Sequence, residues 1–257
     1  MYTLLSHSRT IFMGKETRCY EHATSTNEIA SILLSNFRPA EGTAILTFDQ
    51  TAGKGQRGNT WLSEAGKNIA VSYILYPLFI SAAKQFLLAQ AIALGVCDFI
   101  RQYIDSNEVR IKWPNDIYVG SKKIAGILIE NTISNAGIKN SIIGIGINVN
   151  QTNFDNKLLN PTSFTKETGK EFNLPALAEN LSACLEPRIL ALKAQKTALI
   201  ETDYLNNLYK YQQSATYLDS DGIPFEGTII GIAPGGKLIV QIKDKNCLFD
   251  LKEISFC

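Results

Sequence analysis

Val109-Arg110-Ile111-Lys112-Trp113-Pro114-Asn115-Asp116-Ile117-Tyr118-Val119-Gly120-Ser121-Lys122-Lys123-Ile124-Ala125-Gly126-Ile127-Leu128-Ile129-Glu130 decides the fold. Apolar and β-branched residues fill 109–112, 117–119 and 123–130, and 141–149 follows in the same manner. Gly120-Ser121 and Asn135-Ala136-Gly137 read as the turns between them. Connections this short make hairpins, so the sheet is mostly antiparallel or mixed.

Upstream, residues 1–18 lack periodicity and read as a frayed leader or one short strand. Ser25-Thr26-Asn27-Glu28 fits a capping box that opens a helix through Ile29, Ile32 and Leu33. Strands are expected over 43–49 and 69–76. The spacing of Phe86, Leu87, Ala91, Leu94, Cys97 and Ile100 predicts a helix over 81–104. Pro175 opens a further helix, which Pro187 is expected to kink or split. From about Gln212 the pattern changes to short strands separated by Ser220-Asp221-Gly222, Ala233-Pro234-Gly235-Gly236 and Lys243-Asp244-Lys245. The expected fold is therefore α/β (α+β). A mixed β-sheet domain backed by helices spans 1–211, and a small SH3-like β-barrel spans 212–257.

The 257 residues are 45% hydrophobic, enough for a real core. Lys and Arg total 25 against 24 acidic residues, a net charge of +1, which argues against a protein that coats nucleic acid or anionic membrane. Five scattered cysteines without a CxxC pair, and two histidines (His7, His22), exclude a zinc ribbon and a histidine-rich metal site. Lys84 and Arg101 bound the longest apolar run, short of the ~18–20 residues of a membrane span. No signal-peptide pattern opens the chain. The expectation is a reduced, cytoplasmic protein.

Gly53-Lys54-Gly55-Gln56-Arg57-Gly58-Asn59-Thr60-Trp61 is the candidate binding loop. Its glycines let backbone approach a ligand, Lys54 and Arg57 suit an anion, and Trp61 adds a flat apolar surface. A loop of this kind is usually a surface turn. Likewise a lone lysine is usually solvated, Pro-Asn-Asp can be only a turn, and Trp113 reads equally as core or as pocket wall. The weight comes from the loop being followed by Lys112-Trp113-Pro114-Asn115-Asp116, by 123–130 and by Gly144-Ile145-Gly146-Ile147-Asn148-Val149-Asn150.

In this order and spacing, the four blocks resemble the biotin–protein ligases, over roughly residues 20–257. The resemblance implies activation of biotin with ATP and Mg²⁺ to biotinyl-5′-adenylate. Transfer to a lysine of a biotin carboxyl carrier protein follows. It assigns Ser25, Thr26, Asn27 and Gln50 to the ureido ring of biotin. Lys54, Gly55, Gln56, Arg57 and Trp61 belong to the loop closing over biotin and the adenylate, with Lys54 and Arg57 on the catalytic side. Lys54 and Gln56 stand where arginines often occur, which leaves open which side chain meets the phosphate. Lys112 could add charge at the phosphate, Trp113 lines the ligand pocket, and Asn115 belongs to the family's Pro-Asn-Asp element near the nucleotide. Asp116 either places Mg²⁺ or takes the proton of the incoming lysine. Lys123 contacts the biotin carboxylate and then the phosphate. Gly126, Gly144 and Gly146 are small where a ligand or strand lies close, and Asn148 bonds the nucleotide side. The chemistry fits these types, since a carboxylate attacking a phosphate brings two anions together and needs cations.

Family members often pair through the sheet, so a homodimer is expected. Only 24 residues precede Ser25, too few for a winged helix, so specific DNA binding is not expected. Three rivals stand beside this reading. A lipoate–protein ligase would carry an Arg-Arg-x-x-Gly-Gly-Gly-type segment, absent here. A transcriptional regulator that senses biotin without catalysing fits less well with no DNA-binding domain expected and a charge of +1, and an inactive binding module fits less well with Lys123 and Asp116 present.

Overall fold

The computed structural model describes residues 1–6, 9–135 and 137–256, with backbone alone at Arg57. His7, the turn residue Ala136 and Cys257 fall outside them. In chain order the elements are β1 (Tyr2–Leu5), β2 (Thr17–Tyr20), α1 (Thr26–Asn36), β3 (Ala44–Thr47), β4 (Gly53–Lys54), β5 (Thr60–Trp61), β6 (Asn68–Leu75) and α2 (Phe86–Ile100). Then come β7 (Val109–Lys112), β8 (Asp116–Val119), β9 (Lys122–Ser134), β10 (Gly137–Asn148), α3 (Phe164–Thr168), α4 (Leu174–Lys193) and α5 (Thr197–Asn206). The last five are β11 (Ser214–Asp219), β12 (Pro224–Ile232), β13 (Leu238–Ile242), β14 (Lys245–Phe249) and β15 (Ile254–Phe256).

Eight strands form one sheet in the order β1-β2-β3-β6-β10-β9-β8-β7. Only β2 and β3 run parallel, so the sheet is mixed. The segment before Ser25 supplies two strands at one side of the sheet, β1 at the edge and β2 inside it, where one at most was expected. The pleat sorts β6 and β10 between two layers. Ile69, Val71, Tyr73, Ile143, Ile145 and Ile147 enter the large core with α2 and α4. Ile74 and Ile142 face the other way, onto Ala30 and Leu33 of α1. The helices thus cover both faces, and the α1 face has room left beyond the end of the helix.

The helix over Ala82–Ile100 is long and apolar enough to cross a membrane, contrary to the estimate from its flanking charges. Two thirds of it is buried in the fold against α4 and α5, as expected of a core helix. Burial pushes the Cys97 thiol on it up to about 12. The expected break at Pro187 does not occur, and α4 runs through it. Pro187 lies on the exposed side, where water can serve the carbonyl that loses its partner. The capping box also fails to close. Ser25 is the N-cap, yet its side chain makes no capping bond. Glu28 instead pairs with Lys54 at 2.8 Å and receives the Thr24 hydroxyl at 3.3 Å, because a full charge outbids an amide.

A second sheet of five antiparallel strands follows in the order β14-β13-β12-β11-β15, the small SH3-like unit expected at this end. Its loop at Gly236 presses on Phe86 of α2 and accepts the Trp113 indole N–H at 2.9 Å. At one edge of this sheet, β15 lies beside the large sheet through Phe256, whose ring centre is 5.1 Å from Lys112 Nζ.

Candidate active site

Register builds the floor of a cavity of about 350 Å³ on the α1 face. Gly146 of β10 lies opposite Ala70 on one side and Gly126 on the other, and Gly126 lies opposite Asp116. One row therefore crosses four strands as Ala70, Gly146, Gly126 and Asp116. The next row is Ser72, Gly144 and Leu128. Alternation makes this inevitable, because the isoleucines between the glycines point into the core.

The small residues have a local cause. A Cβ at Gly144 would sit 2.3 Å from Asn27 Oδ1, and one at Gly146 would sit 2.4 Å from Trp61 Cε2. At Gly126 the nearest atoms would be Trp61 Cζ3 at 3.1 Å and Lys123 Nζ at 3.4 Å. The neighbours are side chains of the chain itself. Trp61 reaches the floor because β4 and β5 form a two-strand hairpin, in which Gly53 opposes Trp61. Its indole nitrogen is buried with no hydrogen-bond partner among the described residues.

One end of the cavity is built of neutral hydrogen-bonding side chains, with the Lys54–Glu28 pair at its edge. Gln50 Oε1 accepts the Thr26 amide at 2.9 Å and its hydroxyl at 3.3 Å. Ser72 Oγ lies 2.7 Å from Thr26 Oγ1 and 2.6 Å from Asn27 Oδ1. Asn27 Nδ2 donates to Glu130 at 2.6 Å. Asn27 is thus held at both ends and cannot swing aside. Gly144→Ala is expected to cost about 1–3 kcal/mol, the scale of overpacking in a rigid site. Urea denaturation checks it, and a loss under ~0.5 kcal/mol would mean that Asn27 yields.

The other end is charged. Lys123 Nζ lies 2.7 Å from Asp116 Oδ1 and 5.6 Å from the centre of the Trp61 ring. A bulge shifts the β8–β9 register here, so that Ile117 opposes Ala125 but Tyr118 opposes Lys123. The extra residue bends β9 beside Lys123, and the backbone of Lys123 pairs instead with Asn160 and Thr162. Lys112 Nζ sits 3.0 Å from the Tyr118 hydroxyl, between the rings of Tyr118 and Phe256 at 5.0 and 5.1 Å. Burial lowers the Lys112 pKa. Lys54 stands at the Thr26–Asn27 end instead, engaged by Glu28 of α1 in a hydrogen bond that raises the lysine and lowers the carboxylate.

Sixteen of the residues read from sequence meet on this cavity: Ser25, Thr26, Asn27, Gln50, Lys54, Gly55, Gln56, Trp61, Lys112, Trp113, Asn115, Asp116, Lys123, Gly126, Gly144 and Gly146. Asn148 does not line it. It is buried at the end of β10, and its amide donates to the Thr162 carbonyl at 2.9 Å. The side chain of Arg57 lies outside what the structure describes. Trp113 is both things that its sequence allowed, 6% exposed and on the wall. Sequence reasoning missed the wall formed by Leu251, Lys252, Ser255 and Phe256, and the anchoring of Asn27 by Ser72 and Glu130. No periodicity or motif marks those positions.

Among the described residues no group of three or more His, Cys, Asp or Glu could hold a metal. Asp116 is the carboxylate on the wall, a fit for an ion held by one protein ligand plus the phosphates of a nucleotide.

The chain is 33% identical over 186 residues to the bifunctional ligase/repressor BirA of Bacillus subtilis (strain 168), covering 70% of this chain and 55% of that protein. It is 36% identical over 111 residues to a biotin–[acetyl-CoA-carboxylase] ligase of Paracoccus denitrificans, covering 41% and 43%. The chain spans about half the length of these curated relatives. Its fold matches biotin protein ligase from Aquifex aeolicus, solved in complex with biotin and ATP, with a TM-score of 0.74 at 22% identity. That match covers 93% of this chain and 97% of the other. Residues 20–148 match the Biotin/lipoate A/B protein ligase family. That segment runs from the last residue of β2 to the last residue of β10 and carries the whole cavity floor, so the chain belongs to this family.

Proposed function

We propose that the protein is a biotin–protein ligase, which makes biotinyl-5′-adenylate from biotin and MgATP and then biotinylates a lysine of a biotin carboxyl carrier protein. The observation that carries this reading is one cavity with an end of neutral hydrogen-bonding side chains and a charged end, joined by a glycine floor under Trp61. The ureido ring has one acceptor oxygen and two N–H groups, which match the hydroxyls and amides of Ser25, Thr26, Asn27 and Gln50. The apolar chain of biotin would pass over the Trp61 ring, which covers Gly146 and Gly126, and so bring the carboxylate toward Lys123.

In the first step a biotin carboxylate oxygen attacks the α-phosphorus of ATP, and the bond to pyrophosphate breaks. Lys123 and Lys112 offset the charge that gathers there. Asp116 would hold Mg²⁺, which draws charge off the phosphates when bound. In the second step the acceptor amine attacks the acyl carbon, the bond to AMP breaks and the amine gives up a proton. Asp116 would take it. Its two roles fall in different steps and need not compete.

We further propose that residues 1–211 form the catalytic domain and 212–257 a C-terminal domain, supported by the passage from one sheet to the other between α5 and β11. The reading carries with it a cytoplasmic location and pairing of two copies through the sheet.

Biotin-dependent ATP–pyrophosphate exchange tests the first step, and biotin transfer to a carrier domain tests the second. Exchange that follows lipoate instead would move the chain to the other branch of its family. A third expectation concerns the loop over 51–61. Ordering its glycines costs entropy that ligand contacts must offset. Biotin plus MgATP should therefore slow tryptic cleavage after Lys54 and Arg57, and equal rates with and without ligand would count against a closing loop.

A further inference from the structure

A second cavity of about 340 Å³ lies where the two sheets meet. Gln56, Trp113, Pro114, Asn115, Ile127 and Leu251 line both cavities, so the two are continuous along the Trp113–Asn115 strap. The far wall of the second comes from Phe86 and Ala89 of α2 and from the Pro234–Gly236 loop. The passage between them ends one residue from Asp116, beside the Asp116–Lys123 pair. From the biotin reading above, on which this inference rests, we infer that the second cavity is the entry groove for the lysine-bearing turn of the acceptor protein.

The argument is one of charge and direction. Two occupants could reach the reacting atoms from this side, the polyphosphate of the nucleotide and the acceptor lysine. A polyphosphate needs several cations. The groove offers Lys237, whose ammonium already lies 3.7 Å from the Asp250 carboxylate. The other polar groups on its wall are amides, and two of them, Gln85 and Asn131, bond each other at 3.1 Å. Apolar surface with a few amides suits an uncharged peptide segment. The cations that a phosphate would seek are in the first cavity. The biotin end lies at Thr26 and Asn27, and the groove meets the first cavity at the shared Trp113–Asn115 strap, which makes it an approach to the acyl carbon.

The geometry also orders the chemistry. An amine arriving past Asn115 meets Asp116 before the acyl group. It can lose its proton there as its nitrogen bonds to the acyl carbon and AMP departs. The groove selects the acceptor and the first cavity does the chemistry, so the two should separate in kinetics.

Ala89 is a half-buried helical position on the groove wall and takes no part in the first cavity. Ala89→Gln and Ala89→Glu add length without breaking the helix, and Gln85→Trp fills the groove from its exposed rim. In these full-length variants, biotin-dependent ATP–pyrophosphate exchange should stay within about twofold of the parent. The KM for a carrier domain should rise tenfold or more, while release of AMP by hydroxylamine, a nucleophile too small to need the groove, is unchanged. An unchanged carrier KM in all three variants overturns the inference. So does a parallel fall in exchange, which would assign the groove to the nucleotide. A parent chain without exchange fails at the biotin reading itself, a result distinct from either.

Discussion

Lys123→Ala should slow adenylate formation by roughly 30- to 1000-fold, the equivalent of about 2–4 kcal/mol for one preorganised charge contact. The size follows from placement. Lys123 sits at a β-bulge, its backbone is pinned to Asn160 and Thr162, and its ammonium is fixed by Asp116 at 2.7 Å and by the Trp61 ring. An ammonium already oriented pays little to reorganise as charge builds on the phosphate. Removal also leaves Asp116 unpaired at the place where the anions must meet. The stability cost should be small, since the pair is partly open to solvent and such pairs contribute about 0–1 kcal/mol. Pyrophosphate exchange and a melting curve on the same sample separate the two effects. A rate loss under about tenfold would take Lys123 off the catalytic residues, whatever the melting curve did.

The parts of this fold that were legible in the sequence are those set by period and local turn chemistry. Ile143-Gly144-Ile145-Gly146-Ile147 states its own geometry, with one parity buried in the core and the other small enough to seat Asn27 and Trp61 on the cavity floor. The hairpins at 117–130 and the long helix after Ser81 follow from the same rules. The failures come where a distant partner outweighs a local one. Glu28 fits a capping box by spacing, but Lys54, 26 positions away, claims its carboxylate. Pro187 breaks a helix only where its lost hydrogen bond is buried, and here it faces solvent. Asn148 belongs to a motif whose other members line the cavity, yet its amide is spent on Thr162.

The most telling miss is the wall made by β15 and the turn before it. Nothing in Leu251, Lys252, Ser255 or Phe256 suggests ligand contact, because their position depends on how two sheets dock. Lys112 shows the consequence. By sequence it is one more cation at a strand end, but the ring of Phe256 and the Tyr118 hydroxyl seat its ammonium, and burial lowers its pKa. A charge held against a lowered pKa is ready to be met by an anion. The C-terminal sheet therefore tunes the site as well as walling it.

Trp113→Ala should then do more than empty a pocket. The side chain is 6% exposed, packs in the main core and donates its indole N–H to Gly236 across the junction of the sheets. Truncating a buried aromatic costs about 3–5 kcal/mol, and the Gly236 carbonyl loses its partner as well. Trp113→Phe keeps most of the volume and forfeits only the hydrogen bond, so about 1–2 kcal/mol is expected. The gap between the two variants in urea denaturation measures packing, and the cost of the phenylalanine measures the tie. Because Trp113 lines the cavity and ties the second sheet to the first, both variants should also weaken the nucleotide end, seen as a raised KM for ATP well below the melting temperature. The KM for biotin should move less, since Thr26, Asn27 and Gln50 are held by bonds that do not touch the second sheet. Equal rises in both KM values would mean that Trp113 supports the cavity as a whole. A loss of stability under ~1 kcal/mol on truncation to alanine would mean that the sheets are held together by something other than this contact.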